Sequence, residues 1–355
     1  MNTTVFYFLD SSLNILAAVD IYKSAIFTGR YYREGDFELY IPAKTQLLAL
    51  AKSAAFIARA DKPTRCGIVE KVGVQTSAEQ GNFVTISGRD VAALLERRIV
   101  WRQTTYSGNA EKVIRNLITT AFIEPEIADR AVDNFVLGDE IGLTEKVRVQ
   151  YTGDTIASAV QAICKSVECG YRVDLDLANK RFIFQLYRGV DRSFAQNTNP
   201  FVIFSSDFAN LISSTYDEDS TLSKNVLQVA GEGQGNERVK VSVGNASGID
   251  RVEGFVNAVQ TSNNQGELDR ITYQSVLAQE GAQKLAQLVP TQQIDGEIAP
   301  NYQYTLGVDY NLGDIVQIEN EYGFQMQPRI IEVIENWSEE GYTCIPTFSQ
   351  STEDA

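Results

Sequence analysis

The chain has 355 residues, room for two or three domains, and an apolar fraction of 44% that suits sizeable cores. It contains no histidine, which excludes Ser-His and Cys-His nucleophilic pairs, HExxH metalloproteases and histidine-ligated zinc or iron. Its net charge of -15 speaks against a protein that grips nucleic acid through phosphates, which takes clustered Lys and Arg, although an acidic wall would let a duplex slide past without sticking.

No window approaches the ~20 consecutive apolar residues of a membrane span, and residues 1–10 lack the basic region and apolar run of a secretory signal. A soluble protein made in the cytoplasm, with no stable membrane association, is the expectation. The four cysteines, Cys66, Cys164, Cys169 and Cys344, have neither the paired spacing of a zinc ribbon nor the density of a disulfide scaffold. Cys164 and Cys169 fall near the end of a predicted helix and read as small core residues. No metal or cofactor is expected.

In chain order, residues 1–100 predict a first β domain, with strands at 5–9, 15–19, 37–41, 56–60, 67–75 and 83–87 and a short helix at 45–54. Asp90 is placed to cap a helix carrying Val91, Leu94, Leu95 and Ile99 at helical spacing. Residues 101–198 change to α/β. Asn109 caps a helix with the stripe Val113, Ile114, Leu117, Ile118 and Ala121, and Asp154 precedes a second with Ile156, Val160, Ile163 and Val167. Strands are predicted at 146–151, 171–177 and 181–187, with a turn at 178–180.

The polar stretch 196–200 reads as a linker to a second, discontinuous β domain over 199–235 and 300–350. Asp217, Glu218 and Asp219 within it read as a solvated loop. Residues 236–299 form a small insertion with strands near 239–243 and 254–259 and a helix at 271–289, and 351–355 an acidic tail. Gly231, Gly233 and Gly235 superficially match a phosphate-binding loop. Such loops present N–H groups at a helix N-terminus, whereas 239–243 reads as a strand and no Gly-Lys-Ser follows, so a hairpin loop is expected.

The run 306–348 reads as a β-meander. Its turns fall at Asn311, Leu312, Gly313 and Asp314, at Glu321, Tyr322 and Gly323, and at Glu339, Glu340 and Gly341, with a strand from Pro328, Arg329 and Ile330 between the last two. An earlier stretch repeats the order: Gly35 and Asp36 entering a strand, then Pro63, Thr64 and Arg65 with another strand, then Glu79, Gln80 and Gly81. Such turns also recur by chance in β proteins. The shared order favours one β unit present twice, with Gly35, Asp36, Gly81, Gly313, Asp314 and Gly341 as its structural turns. The expected fold is α+β, mainly β: two similar antiparallel β-barrels, an inserted α/β domain and a second small insertion. Tyr31, Tyr32 and Tyr40 fit either a contact surface or strand-face packing. None of the 46 acidic residues stands out as half of a glycosidase pair.

The segment Phe83 to Asp90 with the helix ending Leu95, Glu96, Arg97 and Arg98, the glycine repeat running to Arg238, and the 309–348 meander together resemble bacteriophage tail-tip hub proteins. These are the tail-associated proteins of long non-contractile tails, similar to the baseplate hub of contractile tails. The resemblance spans nearly the whole chain and rests on order and spacing. It implies a homotrimer at the tail tip of the virion, joining a sixfold tube to a threefold tip and gating the passage of DNA. Implied partners are the distal tail protein, the tape-measure protein and receptor-binding or fibre proteins, with DNA met only in passage. Because the chain stops soon after the second β region, a structural hub without an attached enzyme is expected. The rival readings are a cell-wall glycosidase and a carbohydrate-binding adhesin using Tyr31 or Tyr32.

Overall fold

A computed structural model describes residues 4–77, 81–258, 268–298, 303–319 and 325–350. The predicted turn residues Glu79, Gln80, Glu321, Tyr322 and Gly323 and the tail 351–355 lie outside them. The described residues divide into two compact units, one reaching Thr215 and resuming from Asp295 to Phe348, the other running from Tyr216 to Ile294.

In the larger unit, Asp36–Pro42 buries Phe37, Leu39 and Ile41 and turns the residues between them outward, the period of two that a half-buried strand requires. It pairs with Ser24–Arg30 on one side and Gly81–Arg89 on the other. The six strands of this sheet that belong to the unit run in the order Gly341–Gln350, Pro328–Ser338, Ser24–Arg30, Asp36–Pro42, Gly81–Arg89, Lys71–Ser77. They are three antiparallel hairpins laid side by side. A second sheet has the order Ile15–Val19, Phe6–Leu9, Phe56–Arg59, Cys66–Ile68. Together with helix α1 (Thr45–Ser53) the two sheets enclose Phe6, Phe8, Phe27, Phe37, Val84, Ile86 and Trp337. Phe27 stacks on Phe6 at 5.6 Å and on Phe37 at 5.5 Å.

Three expectations change here. Residues 1–100 and 300–350 were expected in separate barrels, yet Pro328–Ser338 pairs with Ser24–Arg30 and puts Trp337 into the same core. Among the described residues no sheet closes into a barrel. The single strand expected over 67–75 is split between two sheets, Cys66–Ile68 in one and Lys71–Ser77 in the other.

The α/β region packs α2 (Ala110–Ile118) and α3 (Ile156–Ser166) with a sheet in which Arg181–Tyr187 pairs in parallel with Phe135–Leu137 and antiparallel with Gly170–Asp176. Thr104–Asn109 pairs with Lys146–Tyr151 beside it. Asn109 caps α2 by accepting from Lys112 N at 3.1 Å. The cap of α3 is Thr155, accepting from Ser158 N at 3.1 Å, and not the neighbouring Asp154. Asp90 also caps, accepting from Ala92 N at 2.9 Å, but the element it starts is the 3-10 helix Val91–Arg97. The core of this region is continuous with Leu9, Leu13, Phe56 and Ile68 of the first segment.

In the smaller unit Val226–Ala230 lies between Lys240–Val243, antiparallel, and Glu253–Asn257, parallel. The sequence assigned Val226–Ala230 to the second β domain, whereas its pairing is entirely with the insertion. Helix α4 (Arg270–Leu285), capped by Asp269, lays Tyr273 and Leu277 on Leu227 and Val229. The glycine loop after Ala230 is closed by Arg238, whose guanidinium donates to the carbonyls of Gly231 and Ala230, each at 2.7 Å. It is a hairpin loop whose carbonyls are held by its own chain. Asp217, Glu218 and Asp219 are exposed as expected, but in the strand Leu211–Asp219.

Candidate functional site

Three stretches far apart in sequence meet inside the larger unit: the end of the Ser24–Arg30 strand, the α3 exit with the Arg181–Tyr187 strand, and the turn at 311–314 with the start of Pro328–Ser338. Gly313 brings the chain round with φ +96°, a conformation that L side chains rarely adopt. A Cβ on it would stand 2.3 Å from the Tyr31 ring, and one on Gly189 would stand 1.7 Å from the Gly313 carbonyl. Backbones this close admit only glycine.

The next residue, Asp314, is 1% exposed. Its carboxylate accepts from Val190 N at 2.7 Å, Arg192 Nε at 2.8 Å and Asn311 N at 2.9 Å. Arg329, also buried, donates to the Gly313 carbonyl at 2.8 Å and to Glu168 Oε2 at 2.7 Å, and its guanidinium lies 5.5 Å from the centre of the Tyr31 ring. The Tyr31 hydroxyl donates to the Glu168 carbonyl at 3.1 Å and accepts from Gly189 N at 3.3 Å. Burial raises the pKa of that hydroxyl, which therefore stays neutral.

A second set of charges links the large sheet to the four-stranded one. Arg59 donates to Asp61 at 2.7 Å and Glu335 at 2.8 Å, with its guanidinium 4.3 Å from the Trp337 ring centre. Arg30 pairs with Asp36 at 2.6 Å and with Glu332. Beside them is a cavity of about 20 Å³, room for one water, lined by Thr28, Arg59, Arg65, Asp90 and Glu335 among others. In both clusters every acid is held by a cation or by backbone N–H groups. The arrangement locks the first, middle and last parts of the chain into one register.

The six predicted turn residues fall into two groups. Gly81 and Gly341 are alike: each opens the returning strand of a hairpin with positive φ, +85° and +119°. The two Gly-Asp steps are unlike. Gly35 has no positive φ; it donates to Asp90 Oδ2 at 2.7 Å, and a Cβ on it would meet the Thr28 carbonyl at 1.9 Å. Asp36 lies on the half-buried face of its strand, whereas Asp314 is enclosed in the junction. Tyr31 is fully buried, so it offers no surface to a glycan. Glu168, Arg192 and Tyr31 carry no local signal as junction residues, because their partners lie more than a hundred positions away.

This arrangement of sheets and insertions is a phage tail protein fold. Similar solved structures include the tail protein from Neisseria meningitidis MC58, at 13% identity over 99% of both chains with a TM-score of 0.60. The 43 kDa tail protein of prophage MuSo2 from Shewanella oneidensis matches at 12% identity over 98% of both, TM-score 0.63. Prophage tail protein gp18 from Listeria monocytogenes EGD-e matches at 12% identity over 99% of this chain and 95% of that one, TM-score 0.56. A comparison with curated protein sequences finds no match.

The chain belongs to the Siphovirus ReqiPepy6 Gp37-like protein family, whose family model matches residues 5–348. A siphovirus family and a tail-protein fold both accord with the phage resemblance in its sequence.

Proposed function

We propose that the protein is a structural subunit of a homotrimeric ring at the distal end of the tail, joining the sixfold tube to the tip and gating DNA. The observation that carries this reading is the layout of the large sheet. Two hairpins, Lys71–Ser77 with Gly81–Arg89 and Pro328–Ser338 with Gly341–Gln350, flank the central hairpin on opposite sides. Each begins its return strand on a glycine of positive φ. Two similar β units per chain, three chains to a ring, make six docking units for a sixfold tube, and repeated interfaces of this kind close into rings. The repeat rests on these hairpins and not on the dissimilar Gly-Asp turns.

The charge of -15 suits a lumen that repels phosphates. Partners on this reading are the distal tail protein, the tape-measure protein and receptor-binding or fibre proteins, and the role is not enzymatic. Sedimentation equilibrium of the purified chain, with imaging of virions, is the test. A trimer in solution and a threefold ring at the tail tip are expected; a strict monomer at every concentration, absent from particles, overturns the proposal.

A further inference from the structure

Helix α3 ends in a way that brings two of the four cysteines together. Glu168 follows the helix with φ +50°, and Cys169 N donates to the Cys164 carbonyl at 3.0 Å. This six-residue closure through a left-handed residue is the Schellman arrangement, which sets the residues at its two ends side by side and commonly packs them together. Here both ends are cysteine, both fully buried and both free thiols. Both side chains pack in the same buried core. The turn they bracket is the one whose Glu168 carboxylate holds Arg329 and whose carbonyl takes the Tyr31 hydroxyl. Cys66 lies in the four-stranded sheet, and Cys344 faces the Tyr310 hydroxyl at 3.4 Å.

We propose that Cys164 and Cys169 are a disulfide-forming pair, closed by exchange with a small-molecule disulfide, and that closure locks the Glu168 turn against the buried junction. One cysteine thiolate attacks the small disulfide and expels one thiolate, forming a mixed disulfide. The second cysteine attacks its own chain's sulfur and expels the other. One S–S bond forms as one breaks; the protein gives up two electrons to the reagent, and the two thiol protons end on the two released thiols. Both cysteines are buried, so exchange runs through local opening of the last turn of α3. The thiolate is the attacking form, so the reaction is faster in mildly alkaline solution than at neutral pH.

The test uses the folded, reduced full chain incubated with oxidised glutathione at mildly alkaline pH, quenched in acid and alkylated in denaturant. The expected result is two alkylated cysteines in place of four, a Cys164–Cys169 linked peptide in a non-reducing digest, and a higher urea midpoint for the oxidised chain. Cys164→Ala and Cys169→Ala each abolish both the link and the midpoint shift. Where a variant does not fold, the wild-type peptide map decides alone. Four alkylated cysteines after oxidation, or a link to Cys66 or Cys344, overturn the pairing. Equal midpoints for the oxidised and reduced chains overturn the lock.

Discussion

Asp314 answers two backbone N–H groups and one guanidinium from a position almost closed to solvent. Truncating it strands these donors inside the junction, and breaking a buried charge pair costs about 3 kcal/mol or more. Asp314→Ala is therefore expected to lower the urea midpoint strongly, while Asp314→Asn, which keeps an acceptor, loses less. Gly313 and Gly341 provide a matched comparison. Both have positive φ, but a Cβ on Gly313 meets the Tyr31 ring while one on Gly341 meets open space. Gly341→Ala should cost about 1 kcal/mol of backbone strain. Gly313→Ala should cost at least about 2 kcal/mol more than that, because a buried ring must move. Denaturation of the two variants side by side measures the difference, and equal losses would show that the Tyr31 contact is slack. At this scale the sequence marks Gly313 and Asp314 as part of a turn, and Asp314 N closes one on the Asn311 carbonyl at 3.1 Å. A Gly-Asp step signals a tight turn locally; that its aspartate serves as a buried anchor depends on Val190 and Arg192, which no local pattern connects to it.

Elements whose ends are set by neighbours along the chain are legible in the sequence itself. Asn109 caps α2 because its side chain reaches an N–H three residues on, an interaction wholly contained in the local sequence. The strand Ser24–Arg30 is not legible in this way. Its sequence, Ser-Ala-Ile-Phe-Thr-Gly-Arg, holds one β-branched apolar residue and a glycine, and its place at the middle of the sheet comes from pairing with Glu332 to Ser338 some three hundred residues later. Asp90 gives a pH-dependent prediction for the element it caps. Burial raises its carboxyl pKa to about 6, against an ordinary 3.8. The folded state therefore holds this proton more tightly than the unfolded chain. The resulting stabilisation is present in full below about pH 4 and is lost as pH rises through about 6. Asp90→Asn should abolish that part of the decline between pH 4 and 6. It should also cost about 1 kcal/mol overall, since one of the bonds from Gly35 N and Ala92 N loses its acceptor. Urea midpoints across this pH range check both.

For the whole molecule, the chain passes from the larger unit to the smaller within Leu211–Asp219 and back within Thr291–Ile298. Thr291 Oγ1 donates to the Asp219 carbonyl at 3.4 Å, so the two crossings of the chain are adjacent there. Replacing 220–290 by a short Gly-Ser linker closes only a small gap, and loop closure over so short a span is cheap. The shortened chain should keep the cooperative unfolding of the larger unit, followed by near-ultraviolet circular dichroism of the packed aromatics. Loss of that signal would mean that the larger unit does not fold alone. Self-association carries a second expectation. Subunits of charge -15 repel, and salt screens the repulsion over about 10 Å at 0.1 M. The proposed trimer should tighten as salt rises from about 0.02 to 0.3 M, measured by sedimentation; weakening over that range would point to contacts made by opposite charges.

What the sequence alone determined was whatever depends on composition or near neighbours: a mainly β α+β chain, the caps at Asp90 and Asn109, most of its strands, the chemistry closed off by the absence of histidine, and the tail-protein resemblance. Tertiary structure decided which strands share a sheet. It set the last strands beside the first, drew the α/β helices into a core begun at Leu9, and enclosed Asp314, Arg329 and Tyr31 in one junction. The reason is physical. A cap or an alternating face is satisfied within a few residues, whereas the partner of a strand edge or a buried charge is whichever distant segment the packed chain brings against it.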